Sequence, residues 1–490
     1  PLSSGELETS CLGPSMDILK SGGSAVDAAI AALICTSVMN PQSSGLGGGV
    51  VFTIYNASKG TVEVINARET VPRVFLHNLL SGCAAGFPVG KDRDWIAVPG
   101  ELRGYEAAHK RYGRLPWKAL FEPTIKVLSE PLVISPVMEK FIHHPAFASL
   151  GKSLCQRFLK RGETFRWPAL QQTLRVVAEN GAAAFYEGQI GKALVEDIRR
   201  AGSMSLEDLK AYKAEVSSAL NITLNSHTTV FSPGPPMGGA VLLFILKILE
   251  GKLHEASLAT PEERVETYHR IAEALKFGNM LKSNMRDPAF SEAQEAVGPM
   301  LSDELAQLAR HRIDARGDHP LTHYNLLEPI YNHRYKSKGT SHVSVLAADG
   351  SAVSATIIAS PATCQVHRVP ARPPSAMVPS ILISKTGDML VIGGAGGAWI
   401  VSATSMAIIN KLWFGYDLEH AISAPIMHTE GDSILFEDHF SEEVRSGLLG
   451  RGHKEKKVKF AMNVVQGITK EGKCISAYSD KRKLGKSAGY

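Results

Sequence analysis

The sequence predicts an α+β protein in which layers of helix pack on antiparallel-rich sheets. Three observations predict it. A capped segment, Ala25–Met39, has helical character and is apolar on nearly every side. Two segments, 50–65 and 342–358, alternate and double back at polar turns. A buried strand at Met389–Ile392 passes through a glycine cluster into a second long helix. A helix apolar all round must be buried, and hairpins build antiparallel sheet, so the two pack as layers.

The elements follow in order. Ser24 is a good N-cap with Asp27 three residues on, a capping-box spacing, and the helix it opens stops at Pro41. Gly45-Leu46-Gly47-Gly48-Gly49 comes next. Val50–Tyr55, the polar turn Asn56–Gly60 and Thr61–Ile65 then form a hairpin that delivers Asn66-Ala67-Arg68-Glu69-Thr70 at its exit. Helical patterns dominate from Pro99 to about Leu209, and Ser205 with Asp208 repeats the capping box. Asn221–Ser232 reads as one strand, and the proline-rich Ser232–Gly239 as a rigid turn into the helix Ala240–Leu249. Thr260-Pro261-Glu262-Glu263 opens another helix: a cap, a proline at the first helical position and a glutamate at the third. Lys336–Gly339 is a flexible basic approach. His342–Ala347 alternates, Ala348-Asp349-Gly350 turns and Ser351–Ile358 returns, so Thr340 stands at the mouth of a hairpin. After Met389–Ile392, Gly393-Gly394-Ala395-Gly396-Gly397 leads into a helix from about Ala398 to Leu412.

Composition excludes several classes. The 490 residues are 44% hydrophobic and 21% charged, an ordinary globular balance. A net charge of +5 is too dilute for nucleic acid, and the basic runs Lys454–Lys459 and Lys481–Lys486 read as solvated faces. No apolar run is long enough to span a membrane. Residue 1 is Pro rather than Met, so the natural N-terminus is expected upstream. The six cysteines (Cys11, Cys35, Cys83, Cys155, Cys364, Cys474) form no C-x-x-C pair, so neither zinc nor thioredoxin chemistry is expected. The sequons at Asn56 and Asn221 point weakly toward secretion and glycosylation.

Four places could carry chemistry. Threonine is a poor nucleophile unless a base sits beside it. One solution puts it at a chain terminus, where its own α-amine takes the hydroxyl proton. For Thr340 that requires cleavage after Gly339; the alternative is a plain Gly-Thr-Ser loop. The run Gly393–Gly397, between strand and helix, presents N–H groups suited to a phosphate or an oxyanion, or else serves tight packing. A dinucleotide fingerprint fails because Trp399 stands where its last glycine belongs, no Walker lysine follows, and no cofactor is expected. Arg68 could clamp a carboxylate through two N–H groups; the alternative is a surface ion pair with Glu69 or Glu63. Cys11 and Cys35 flank the first helix as a disulfide or as two buried thiols.

Together these pieces resemble the γ-glutamyltransferase (glutathione hydrolase) family. The resemblance rests on Ser24–Ala29, Asn40-Pro41-Gln42, Gly45–Gly49, Asn66–Glu69, Val98–Gly104, Gly339–His342, Asp349–Val353 and Gly393–Gly397, in the family's order across nearly the whole chain. Arg270–Lys276, Arg312–His319 and Met377–Leu382 look most like its leukotriene-processing branch. The resemblance implies an N-terminal-nucleophile hydrolase fold, a four-layer αββα sandwich. It implies a proenzyme that cuts itself into a large chain, 1–339, and a small chain, 340–490, forming one intertwined unit. It implies transfer of γ-glutamyl from glutathione or conjugates such as leukotriene C4 to water, an amino acid or a dipeptide, without a cofactor or metal. By this match Thr340 is the nucleophile, Gly396 and Gly397 form the oxyanion hole, and Arg68 and Ser375 hold the glutamyl α-carboxylate. Cys11 and Cys35 match a family disulfide. The family further implies a cell-surface protein with a single membrane anchor outside this chain.

The departures are as informative. The family's second serine is Ala376 here. Where the family has a threonine supporting the nucleophile and a substrate-binding asparagine, this chain has Ile357-Ile358-Ala359-Ser360. The family's longer acidic segment, which holds the substrate α-ammonium, is replaced by the short basic stretch Pro361–Pro374, and no Asp, Glu or Asn lies between Asp349 and Asp388. Two readings stand: an acyl-transfer enzyme working through a Thr340 ester, or a folded secreted or membrane-attached relative impaired in holding substrate. A third, a nucleotide-binding protein using Gly393–Gly397, has the failed fingerprint against it.

Overall fold

The computed structural model describes residues 3–6, 9–74, 96–136, 138–139, 160–199, 204–290, 293–327, 339–358, 371–457 and 463–489. The approach Lys336–Lys338, most of the stretch replacing the acidic segment, and Cys83, Cys155 and Cys364 lie outside them. Among the described residues the main strands are β1 (Ser3–Glu6), β2 (Gly49–Asn56), β3 (Thr61–Ala67), β4 (Glu215–Ser218), β5 (Leu220–Leu224), β6 (Thr228–Ser232), β7 (Thr340–Leu346), β8 (Ala352–Ile358), β9 (Ser380–Ser384), β10 (Met389–Ala395), β11 (Val464–Glu471), β12 (Cys474–Ser479) and β13 (Lys486–Gly489). They form a seven-stranded sheet, β13-β1-β7-β8-β2-β3-β4, and a six-stranded sheet, β12-β11-β10-β9-β6-β5. Neighbours in both are antiparallel.

Helices cover the outer faces. On the seven-stranded sheet lie α1 (Thr9–Lys20), α2 (Ala25–Met39) and α3 (Glu101–Tyr112), sharing one apolar core with β2, β3, β7 and β8. The capping box at α2 forms as expected: Asp27 N donates to Ser24 Oγ at 3.0 Å, and Ser24 N to Asp27 Oδ2 at 2.9 Å. That carboxylate also accepts from the backbone N–H groups of Arg114 and Leu115. Cys11 and Cys35 are joined as a disulfide tying α1 to α2, with Cα atoms 5.4 Å apart. On the six-stranded sheet lie α4 (Gly239–Leu249), α5 (Pro261–Leu281) and α6 (Ile400–Leu412), around the largest core. Between the sheets pack Leu346, Ala352, Ile381, Met389, Val391 and Ile468. The order helix, sheet, sheet, helix is the expected αββα sandwich.

Two local readings change. Asn221–Ser232 is two strands, because Asn225 and Ser226 adopt φ of 49° and 53° and turn the chain back in the three-residue connection 225–227. Gly393, Gly394 and Ala395 belong to β10 rather than following it. A Cβ on Gly393 would lie 2.3 Å from His342 Cε1, so glycine there admits an imidazole from the facing sheet.

The strands also interleave. β1, from the chain's beginning, is hydrogen-bonded between β13, from its end, and β7, which starts at Thr340.

Candidate active site

Sheet register places the predicted residues. Thr340 pairs with Ile358 across β7 and β8, and Ile358 pairs with Gly49 on β2. Val50 pairs with Ala67, so Gly49 stands opposite Arg68, one residue past β3. Thr340 and Arg68 therefore end one row across the same sheet, three interstrand steps of about 4.8 Å apart.

The facing sheet supplies the glycines. Thr340 and His342 share a side of β7 by the two-residue period, and His342 lies against Gly393. Leu346 packs among Met389 and Val391. Going back along β7 from Leu346 through His342 to Thr340 thus moves forward along β10 toward Gly396 and Gly397. There φ is 128° at Gly396 and 61° at Gly397, a left-handed turn favouring glycine.

Thr340 is buried, and its Oγ1 has no hydrogen-bond partner among the described residues. Its carbonyl accepts from Lys483 Nζ at 3.3 Å. Lys483 is buried, which lowers its pKa to about 8. Beneath the threonine, His342 bonds through Nδ1 to Thr356 Oγ1 at 2.8 Å and through Nε2 to Ser344 Oγ at 3.0 Å. Burial pushes its pKa down to about 3, so the imidazole is neutral.

Arg68 is buried rather than at the surface. Its Nε donates to Pro373 O at 3.1 Å, and its Nη2 to Pro374 O at 3.3 Å. Nη1 lies 2.8 Å from Glu69 Oε1, an ion-pair contact without the in-line geometry of a hydrogen bond. Burial raises the Glu69 pKa, and Arg68 pulls against that shift. The other expected partner, Glu63, pairs with Arg111 instead. Ser375 follows Pro374 directly and is buried; its Oγ accepts from Met377 N at 3.2 Å. Arg68 and Ser375 are thus adjacent, and Ala376 is buried beside them.

Sequence reasoning missed three residues. Lys483 was counted within a solvated basic run; Lys481 of that run does pair with Glu419 at the surface, but Lys483 turns inward. The other two, Glu215 and Asp287, are carboxylates well upstream of the window in which acids were sought. Both are engaged by Arg372, whose guanidinium bonds to Glu215 and whose backbone N donates to Asp287 Oδ2 at 2.7 Å. A cavity of about 320 Å³ opens beside them, lined by Asn66, Met237 and Val297 among others. Among the described residues no group of three or more His, Cys, Asp or Glu could hold a metal ion, and no helix is long and apolar enough to cross a membrane. Of the sequon residues, Asn221 is exposed on the edge strand β5 and Asn56 is partly exposed at the end of β2.

The chain is similar to known proteins in sequence and in fold. The family model described as gamma-glutamyltranspeptidase fits residues 13–361 and 357–490. The human glutathione hydrolase 5 proenzyme is 46% identical over 532 positions, covering 96% of this chain and 90% of that protein. Scoloptoxin SSD14 of Scolopendra dehaani is 32% identical, covering 98% and 90%. Among solved structures, the cephalosporin acylase of Bacillus halodurans superposes with a TM-score of 0.84 at 22% identity, over 100% of this chain and 96% of that one. The γ-glutamyltranspeptidase of Helicobacter pylori superposes with a TM-score of 0.56 at 24% identity, over 63% and 90%.

Proposed function

The chain belongs to the gamma-glutamyltranspeptidase family, and from that premise we propose that it is a self-cleaving γ-glutamyltransferase and glutathione hydrolase. It moves the γ-glutamyl group of glutathione, or of conjugates such as leukotriene C4, to water, an amino acid or a dipeptide. Hydrolysis of the Gly339–Thr340 bond leaves a carboxylate on Gly339 and an α-amine on Thr340. That amine takes the hydroxyl proton as Oγ1 attacks the γ-carbonyl. The N–H groups of Gly396 and Gly397 stabilise the oxyanion. The departing amine takes the proton and leaves an ester on Thr340. Water or an acceptor amine then attacks the ester, and the hydroxyl is restored. Arg68 and Ser375 hold the α-carboxylate meanwhile.

One observation carries this reading: a buried threonine hydroxyl without a partner among the described residues, at the start of a strand, in the same row as a buried arginine. The test is maturation. Purified wild-type protein should yield two fragments, the smaller beginning Thr-Ser-His, whereas Thr340→Ala stays one chain. A wild-type chain that remains intact on prolonged incubation refutes the mechanism. The disulfide and the sequons support a place at the cell surface, with the large and small chains as each other's permanent partner.

The engagement of Glu215 and Asp287 by Arg372 favours a second reading, a relative that matures but holds γ-glutamyl substrates poorly. Self-cleavage without turnover would identify it.

A further inference from the structure

Lys282 closes α5, in the part of the chain before the cleavage point, yet it reaches the glycine turn after that point. Its Nζ donates to the carbonyl of Ala398 at 3.3 Å. That carbonyl belongs to the same peptide unit as the N–H of Trp399, which donates to Gly396 O, also at 3.3 Å. The Gly396 carbonyl in turn shares a planar trans peptide with the N–H of Gly397, so holding one end aims the other the opposite way. Chains of hydrogen bonds polarise one another, so an ammonium at the far end strengthens the Trp399 to Gly396 link. The indole of Trp399 is itself held, stacked on the buried His428 ring with centroids 4.7 Å apart. His428 bonds through Nδ1 to Ser402 Oγ at 2.8 Å, on the first turn of α6. Without these restraints a turn built on two left-handed glycines has wide conformational freedom.

We propose that Lys282 is a positioning residue for the oxyanion hole, fixing the direction of the Gly397 N–H through the Ala398 carbonyl and the Trp399-to-Gly396 hydrogen bond. The inference rests on the oxyanion role proposed for Gly396 and Gly397. It makes the small chain's oxyanion hole depend on a side chain of the large chain, so that the two fragments must stay docked for the donors to point correctly.

Two readouts on matured protein test it. Lys282→Met keeps most of the side chain's length without its charge, and Lys282→Arg restores a donor. With a γ-glutamyl anilide as substrate, Lys282→Met should lower kcat about tenfold with KM within twofold of wild type, and Lys282→Arg should recover most of that loss. By hydrogen exchange, the peptide spanning 393–400 should exchange at least about tenfold faster in Lys282→Met, while a peptide from α2 does not change. Unchanged exchange at 393–400, a loss confined to KM, or an equal loss in Lys282→Arg overturns the proposal. Faster exchange with kcat unaltered overturns it at the level beneath, by removing Gly396 and Gly397 from the oxyanion hole.

Discussion

A guanidinium carries five N–H donors in a fixed plane, and Arg68 commits only some of them to the protein. Nε and Nη2 meet two prolyl carbonyls, and Nη1 leans on Glu69. A terminal N–H therefore remains on each Nη for a carboxylate. Lysine at this position would keep the charge but lose the planar fork, which spreads its N–H groups over two carbonyls and a carboxylate at fixed angles. Arg68→Lys should raise KM for γ-glutamyl donors roughly 10- to 100-fold, the scale of one lost charge-assisted hydrogen bond at about 1.5–3 kcal/mol. Self-cleavage should be unaffected. An unchanged KM in fully cleaved protein would take Arg68 out of the site. Its candidacy was legible from its place at a hairpin exit. Its burial was not, because that depends on Pro373 and Pro374, which are distant in sequence. Lys483 left no signal at all: nothing in a run of basic residues says which one turns inward.

Where the two sheets face each other, some polar side chains bridge the gap. Thr53 and Ser354 donate to the carbonyls of Pro379 and Ile392 on the facing layer, at 2.7 and 2.9 Å. His342 fills the space that Gly393 leaves open. Burial holds its folded pKa near 3, against about 6.5 for an ordinary histidine. The folded form therefore stays neutral while the unfolded form gains a proton, so the unfolded state binds more protons between about pH 6.5 and 3. Stability contributed by the neutral ring is present above that window and lost as pH falls through it. His342→Gln, which can still hydrogen-bond, should make the decline in unfolding free energy between pH 6.5 and 4 shallower by up to about 1.4 kcal/mol per pH unit. Denaturant titrations at several pH values would measure this, and equal slopes would mean that His342 is charged or solvated in the fold. At this scale the sequence was most legible where caps and turns announce themselves, as at Ser24 and Ala348-Asp349-Gly350. It failed at Asn225-Ser226, a left-handed turn made without glycine, and at Gly393, whose reason lies across the sandwich.

At the scale of the whole molecule, the family motifs occur in order but the chain is short within them. The family model fits in two pieces that meet at 357–361, and the human relative aligns over 532 positions against 490 residues, so that relative carries segments with no counterpart here. A γ-glutamyl group presents an ammonium as well as a carboxylate. Arg372 engages Glu215 and Asp287. Leaving a buried ammonium with two lost contacts weakens binding by roughly two to four powers of ten. Inserting the human relative's segment between Ile357 and Pro374 should therefore raise anilide hydrolysis about 10²- to 10⁴-fold at equal concentrations of matured protein. Equal rates would instead point to Glu215 or Asp287 as the ammonium's partner. The shortage of acids was plain in the sequence; their engagement by Arg372 required the fold.

The strand order of the seven-stranded sheet has one more consequence. With β1 hydrogen-bonded between β7 and β13, the scission proposed before Thr340 would leave two polypeptides woven through a common sheet. The precursor reaches this state in a first-order process, with every pairing partner tethered. The mature protein, once unfolded, would have to find it again by a second-order encounter between fragments that each bare sheet edges open to other partners. Its lifetime then rests on the height of the unfolding barrier rather than on an equilibrium it can revisit. Maturation of the proposed kind would thus make folding a step each molecule takes only once.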